Sequence, residues 1–202
     1  MSARYSGMKK IPDIPAAKLL AEANMRLDSK VKAPASAQPA IVLAELDALE
    51  APIDAMKLLA VSLPIRERTW WACLAARDLT GHGAEAATPS LKAAEAWVFD
   101  PSDAHREAAA TALQADDPTD KTAPCAEIVL YSDGTMGPGE MAQYPAPPGA
   151  SAIMTFSMVV SAYGEHEGDP DAYAALLIDR AVDIARGGNG RIETERGAEE
   201  EA

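Results

Sequence analysis

Few residues of this 202-residue chain combine the types and the spacing that catalysis or metal binding requires. Cys73 is the best candidate nucleophile, but it lies inside an apolar run, where a thiol is a small buried hydrophobe. One of three scattered histidines, His82, His105 or His166, would have to reach it through a tertiary contact. No histidine pairs with another histidine or with a cysteine at metal-site spacing. The sequence therefore predicts no catalytic residue, no metal and no cofactor.

Two further segments have compositions typical of ligand-binding loops, but each composition has a simpler structural explanation. Residues 165–171 (EHEGDPD) are rich in carboxylates, but their spacing matches no calcium loop. Asp169 instead suits the start of a helix, where an acidic side chain caps free backbone N–H groups. Residues 133–139 (DGTMGPG) resemble a phosphate loop, but they lack the Lys-Ser/Thr ending and Pro138 removes an amide donor. We expect neither a cation nor a phosphate there.

Arg66 and Arg68 stand one helical turn before two adjacent tryptophans, Trp70 and Trp71. Tryptophan and arginine are enriched at the energetic centres of protein interfaces, and a basic cluster in an acidic protein suits an acidic peptide. Adjacent helical residues point about 100° apart, so one indole can enter the core while the other stays at its flank. The plainer interpretations are that both indoles pack in the core and that the arginines pair with carboxylates of residues 45–50.

A glycine- and proline-rich segment, residues 132–150, is unusually long for a connection within one domain. Proline-rich segments bind aromatic-lined partners, but this one can equally drape over a groove between helices, which we favour. Its Tyr144 stands next to the prolines. The candidate partner-binding residues are therefore Arg66, Arg68, Trp70, Trp71 and Tyr144.

The overall charge restricts the partners that this protein can have. The chain carries 18 basic and 31 acidic residues, a net charge of −13 and a pI near 4.6. Such a surface repels phosphates, which argues against nucleic acid and against anionic membranes. No apolar run of 18 residues is present, and no apolar run follows residues 1–10 as in a secretory signal. We expect a cytoplasmic protein with a protein partner; spacing alone leaves a Cys73–Cys125 disulfide open.

Helices are the elements that must position these residues. Apolar side chains recur at helical spacing behind proline- or serine-led starts. Because short connections make antiparallel neighbours, we predict an all-α fold, a single compact array of seven to eight antiparallel helices with one long Gly/Pro-rich loop. The short β-branched run within residues 124–131 leaves that segment open between helix and strand. The predicted divisions are an irregular N-terminal arm (1–15), a helical domain (16–187) and a disordered acidic tail (188–202).

The stretch Ser62–Arg77 (SLPIRERTWWACLAAR) resembles an uncharacterised bacterial domain family, and its Trp-Trp-Ala-Cys string is the most specific part. The likeness continues through Lys92–Val98, Asp100–Ser102 with Arg106, Pro145–Gly149 and Asp183–Gly187, and it covers about residues 36–187. It implies one continuous helical domain, with a helix at residues 124–131. It also implies a proteobacterial family of unknown function, associated with type VI secretion gene neighbourhoods, and it brings no catalytic residues.

These observations favour a non-enzymatic protein-interaction module, an adaptor or accessory factor in a bacterial assembly related to secretion. The alternative is a small-molecule-binding helical protein with a pocket near the helix of Trp70 and Trp71. A third hypothesis, an enzyme with an unrecognised set of residues, would require a cleft holding at least two titratable groups with shifted pKa values.

Removal of divalent cations should leave the stability of the protein unchanged, because the sequence contains no metal site. A structural ion present at 100 times its dissociation constant would contribute about 2.7 kcal/mol. We therefore expect calorimetric melting temperatures with and without EDTA to agree within about 1 °C. A melting temperature that falls by several degrees in EDTA would show that a metal supports the fold.

Overall fold

The computed structural model describes residues 3–115, 117 and 119–192. This part of the chain forms nine α-helices, three short 3₁₀ helices and no β-strand, which confirms the all-α prediction. There is one helix more than predicted, because residues 124–131 lie largely in a helix rather than a strand. The helices are α1 Ala16–Glu22, α2 Pro39–Ala48, α3 Pro52–Ser62, α4 Ile65–Thr80, α5 Pro89–Phe99, α6 Asp103–Gln114, α7 Ala123–Leu130, α8 Ala150–Glu165 and α9 Pro170–Arg186.

Local sequence explains where most of these helices begin. Five of them, α2, α3, α5, α7 and α9, carry proline in the first two positions, where a missing N–H leaves no bond unmade. The side chains of Thr88, Ser102 and Asp169 accept hydrogen bonds from free N–H groups at the starts of α5, α6 and α9. Asp169 thus acts as a helix cap within the acidic run 165–171.

Helix α4 lies at the centre of the packing. One set of its side chains, including Trp71 and Leu74, is buried with residues of α1–α3 and α9. Another set, including Cys73 and Ala76, is buried with residues of α5 and α7. The Trp71 indole is fully buried, and its Nε1 donates to the Leu177 carbonyl of α9 at 2.9 Å. Alternate faces of α4 therefore join the two parts of the core.

The long Gly/Pro loop is held in place by a buried arginine. Arg106 of α6 is 4% exposed, and its Nε and Nη2 donate to the Leu130 carbonyl at the end of α7 at 2.9 and 2.7 Å. The same guanidinium binds Thr135 Oγ1 at 2.6 Å and the Asp133 carboxylate. At its far end Gly149 has φ +73°, and a Cβ there would lie within 2.7 Å of Ala23. The loop thus follows a defined path along the helices.

The described part of the N-terminal arm, residues 3–15, is irregular apart from one 3₁₀ turn, Ala3–Tyr5. Arg4 pairs with Asp47 of α2 at 2.6 Å and with Asp179 of α9 at 2.7 Å. The Tyr5 ring is buried, and its hydroxyl donates to Asp47 at 3.1 Å. The described part of the arm therefore joins the second helix to the last.

A buried carboxylate, Asp54 in the first turn of α3, fixes the connection between α1 and α2. Its oxygens accept the backbone N–H groups of Asp28 at 3.1 Å and Ser29 at 2.7 Å, and Lys57 Nζ lies at 3.0 Å. Burial by itself would raise the pKa of Asp54, but the hydrogen bonds from Ser29, Asp28 and Lys57 hold that pKa below its ordinary value.

Asp54→Asn should lower the free energy of unfolding at pH 7 by about 2 kcal/mol, because the Asp28 and Ser29 N–H groups lose a charged acceptor while Lys57 keeps its exposed partner Asp28. Asp13→Asn, at an exposed position, is the control and should change little. A carboxyl whose pKa is lowered by folding stabilises the fold above its unfolded value of about 3.9, and this contribution disappears as pH falls through the folded pKa. Urea unfolding should show a smaller deficit for Asp54→Asn at pH 3; an equal deficit at both pH values would contradict this.

Candidate interaction groove

A groove of about 360 Å³ lies on the surface where α4, the end of α5 and the segment after α9 meet. We call it the Trp70 groove. It contains two arginines and no carboxylate, although the chain carries a net charge of −13. The lining of this groove is therefore positively charged, in contrast to the chain as a whole. The lining residues are Arg66, Trp70, Val98, Phe99, Asn189 and Arg191.

Two aromatic rings form the apolar part of the groove. Trp70 is half-buried, and its Nε1 donates to the Asn189 carbonyl at 2.6 Å. The Phe99 ring meets Trp70 edge-on, with ring centroids 6.5 Å apart. Phe99 is 75% exposed, the largest fraction among the large exposed apolar side chains of the described residues. A fixed indole therefore supports an exposed phenyl ring.

Arg66 ties the groove to the end of α5. Its Nε donates to the Val98 carbonyl at 2.6 Å and its Nη2 to the Phe99 carbonyl at 3.4 Å. These carbonyls form the negative end of the helix dipole, where a cation is favourable. In the described part of the chain Nη1 has no hydrogen-bond partner, and no carboxylate lies within 4.0 Å of the guanidinium. The alternative interpretation, in which Arg66 pairs with a carboxylate of residues 45–50, is therefore not met.

A glycine-rich turn brings the second cation to the groove. Gly187 ends α9 with φ +105°, and the buried Gly190 donates its N–H to the Asp183 carboxylate at 2.9 Å. This turn places the Arg191 guanidinium over the Trp70 ring, 5.5 Å from its centroid. Residues 188–192 belong to the predicted disordered tail 188–202, but in the structure they pack against α4 and α9. The rest of the predicted tail, 193–202, lies outside the described residues.

The five sequence-predicted residues do not form one patch. The structure brings Arg66 and Trp70 together, whereas Trp71 is 0% exposed in the core. Arg68 donates to the carbonyls of Leu63 at 2.8 Å and Val61 at 3.3 Å, at the end of α3. Burial lowers the pKa of Arg68 to about 10, so it is still charged at neutral pH.

Tyr144 is 53% exposed on the long loop and does not line the groove. Four lining residues were missed from the sequence. Phe99 carried one signal, because it follows Trp97 and Val98 yet falls off the apolar stripe of its helix. Arg191 carried no signal, because its position depends on a tertiary turn.

Both cysteine thiols lie in the core. Cys73 and Cys125 are both free and fully buried. A hydrogen bond with the Cys125 thiol, together with burial, raises the pKa of Cys73 well above its ordinary value. A protonated buried thiol is a poor nucleophile. Among the residues searched, no group of three or more His, Cys, Asp and Glu side chains could hold a metal ion. None of the described helices is long and apolar enough to cross a membrane.

Fold and groove together define an all-α protein with a cationic, aromatic surface groove. Residues 42–185, more than two thirds of the chain, match the Family of unknown function (DUF6931), and the chain belongs to this family. The match includes Arg66, Trp70 and Phe99 and stops before Asn189 and Arg191. Searches of curated proteins and of solved structures found no match.

Gly190→Ala should displace residues 188–192 from Trp70. A Cβ at Gly190 would lie 2.8–2.9 Å from side-chain carbons of Ile184 and Leu74, at a backbone φ of +67°. Gly7→Ala is the matched control, since its φ of +73° imposes the same backbone strain of about 1 kcal/mol with nothing within 4 Å. We expect the Trp70 indole N–H resonance, assigned with Trp70→Phe, to shift only in Gly190→Ala. An unchanged resonance there would contradict the described contact.

Proposed function

We propose that this protein is a non-enzymatic interaction module whose Trp70 groove binds an acidic segment of a partner protein through one apolar anchor residue. The observation that carries the proposal is Phe99, an exposed ring beside two guanidinium groups in a groove without carboxylates. Aromatic and arginine side chains dominate the binding energy of many interfaces. An apolar side chain packed on Phe99, next to a carboxylate, would use both features.

The chemistry of the two arginines supports a carboxylate as the charged group of the ligand. A guanidinium over an indole ring keeps its N–H donors at its edge, and Arg191 donates none of them to the described residues. Arg66 donates from Nε and Nη2 to the end of α5, and its Nη1 has no hydrogen-bond partner among the described residues. Arginine binds carboxylates with two parallel hydrogen bonds when its edge is accessible. The groove therefore offers paired donors next to an apolar wall.

The resemblance noted from the sequence suggests a setting for this module. We propose an adaptor or accessory role in the cytoplasm, within a bacterial assembly such as a type VI secretion system. In that role the protein would hold a partner segment without altering it. Both thiols are free and fully buried, so the proposal assigns neither of them a reactive role.

A small carboxylic acid with an aromatic or aliphatic body is the second candidate ligand. The groove volume of about 360 Å³ falls at the lower end of the range for small-molecule pockets, roughly 300–1,000 Å³. The groove is open rather than enclosed, and Phe99 is mostly in water. An open site buries less of a small molecule than of a peptide that continues past it, so a peptide segment is the better fit.

Phe99→Ala and Arg191→Glu should each weaken capture of the partner by at least about tenfold, the effect expected of an interface anchor. Leu49→Ala is the matched control, because Leu49 is a 49% exposed apolar residue that does not line the groove. Affinity capture from lysate of the native host, followed by mass spectrometry, should identify a stoichiometric protein retained by Leu49→Ala and lost in both groove variants.

Two other outcomes would count against the proposal. A partner retained equally by all variants would place the interaction elsewhere, and Tyr144→Ala would then test the long loop. No captured protein, together with thermal stabilisation by an aromatic carboxylic acid that Phe99→Ala abolishes, would favour the small-molecule alternative.

A further inference from the structure

We propose that the glutamate-rich segment 193–202 binds the arginines of the Trp70 groove in its own chain and thereby competes with acidic partners. This inference concerns regulation of the groove, and it rests on the proposed function because both require the groove to bind carboxylates. The segment lies outside the described residues and follows directly after Arg191 and Ile192 in the sequence.

The charge of the segment is opposite to the charge of the groove. The segment (ETERGAEEEA) contains five glutamates and one arginine. The groove presents Arg66 and Arg191, neither of which has a carboxylate within 4.0 Å in the part of the chain that is described. The strong negative charge of the rest of the chain opposes contact of the segment with other surfaces. The charge of the groove therefore complements the charge of the segment.

Continuity of the chain is the second step. The buried Gly190 turn has already brought Arg191 over Trp70, and the segment begins two residues later. An extended chain spans at most about 3.6 Å per residue, so Glu193 starts about 7 Å from Arg191 along the chain. A ligand on so short a tether has an effective concentration of about millimolar or more. Even a weak carboxylate contact is then substantially populated.

The composition of the segment makes it a competitor rather than a permanent plug. Beyond Ile192 it contains no large apolar residue, so it can neutralise the arginines but cannot pack a large side chain on Phe99. A partner that supplies both a carboxylate and an apolar anchor would displace it. Exposed ion pairs are screened within about 10 Å at 0.1 M salt, so the competition should weaken as salt rises.

The test uses the full chain and a fluorescein-labelled peptide with the sequence of residues 193–202. In the tail variant, all five glutamates of the segment become glutamine. The control variant makes the same charge change at five exposed glutamates outside the groove. These are Glu50, Glu85, Glu107, Glu140 and Glu167.

The tail variant should bind the peptide about fivefold more tightly than the unmodified chain at low salt, because its own segment no longer competes. The control variant should resemble the unmodified chain, and the difference should vanish near 0.5 M salt. Adding Arg191→Gln to the tail variant should remove most peptide binding. The Trp70 indole resonance should also differ between the unmodified chain and the tail variant at low salt, without any peptide.

Equal peptide affinity in all three proteins, with the Trp70 resonance unchanged in the tail variant, would overturn the inference. An equal gain in the control variant would do so too, because it would show a general charge effect. Loss of a partner in Phe99→Ala with an inert tail would support the proposed function alone. A tail-dependent Trp70 shift without any Phe99-dependent partner would support the intramolecular contact alone.

Discussion

The carbonyl groups at the C-terminal ends of helices have no partners within the helix, and here arginine supplies donors at three such ends. Arg66 binds the end of α5, Arg68 the end of α3 and Arg106 the end of α7. Because Arg66 and Arg68 both project from the first turn of α4, one turn of one helix fixes two neighbours. The position of Phe99, the last residue of α5, depends on that arrangement.

Helical periodicity and proline-led starts sufficed to predict the all-α fold, because each helix carries its own start signal. Residues 124–131 were harder to predict, because a short β-branched run has no periodicity of its own and the segment packs against α5, α6 and α8, contacts that cannot be predicted from its own sequence. The candidate site was predicted only in part. Trp70 and Trp71 are neighbours in sequence, yet only the carbonyl of Leu177 on a distant helix explains why Trp71 is the buried one.

The roles of the individual arginines are the feature that the sequence predicts least well. An arginine beside tryptophan is equally typical of an interface and of a cap on a neighbouring helix, and the difference depends on where that neighbour ends. Arg68 belongs wholly to the second case, whereas Arg66 caps α5 and still borders the groove. Arg191 lies in a segment of low hydropathy after a helix stop, and the Gly190–Asp183 and Trp70–Asn189 hydrogen bonds hold the turn that brings it back to Trp70.

The negative charge of the protein and the cationic groove act over different distances. Repulsion by the whole chain is screened beyond about 8 Å at physiological salt, so it slows the approach of any polyanion without preventing a close contact. In the proposed function, a carboxylate in the groove would meet two guanidinium groups beside Trp70 and Phe99. Under this proposal a ligand with charge alone, such as nucleic acid, would be repelled by the chain and would gain nothing from Phe99. A ligand that joins one carboxylate to one apolar side chain would gain from both, so the proposed selectivity rests on the combination rather than on charge alone.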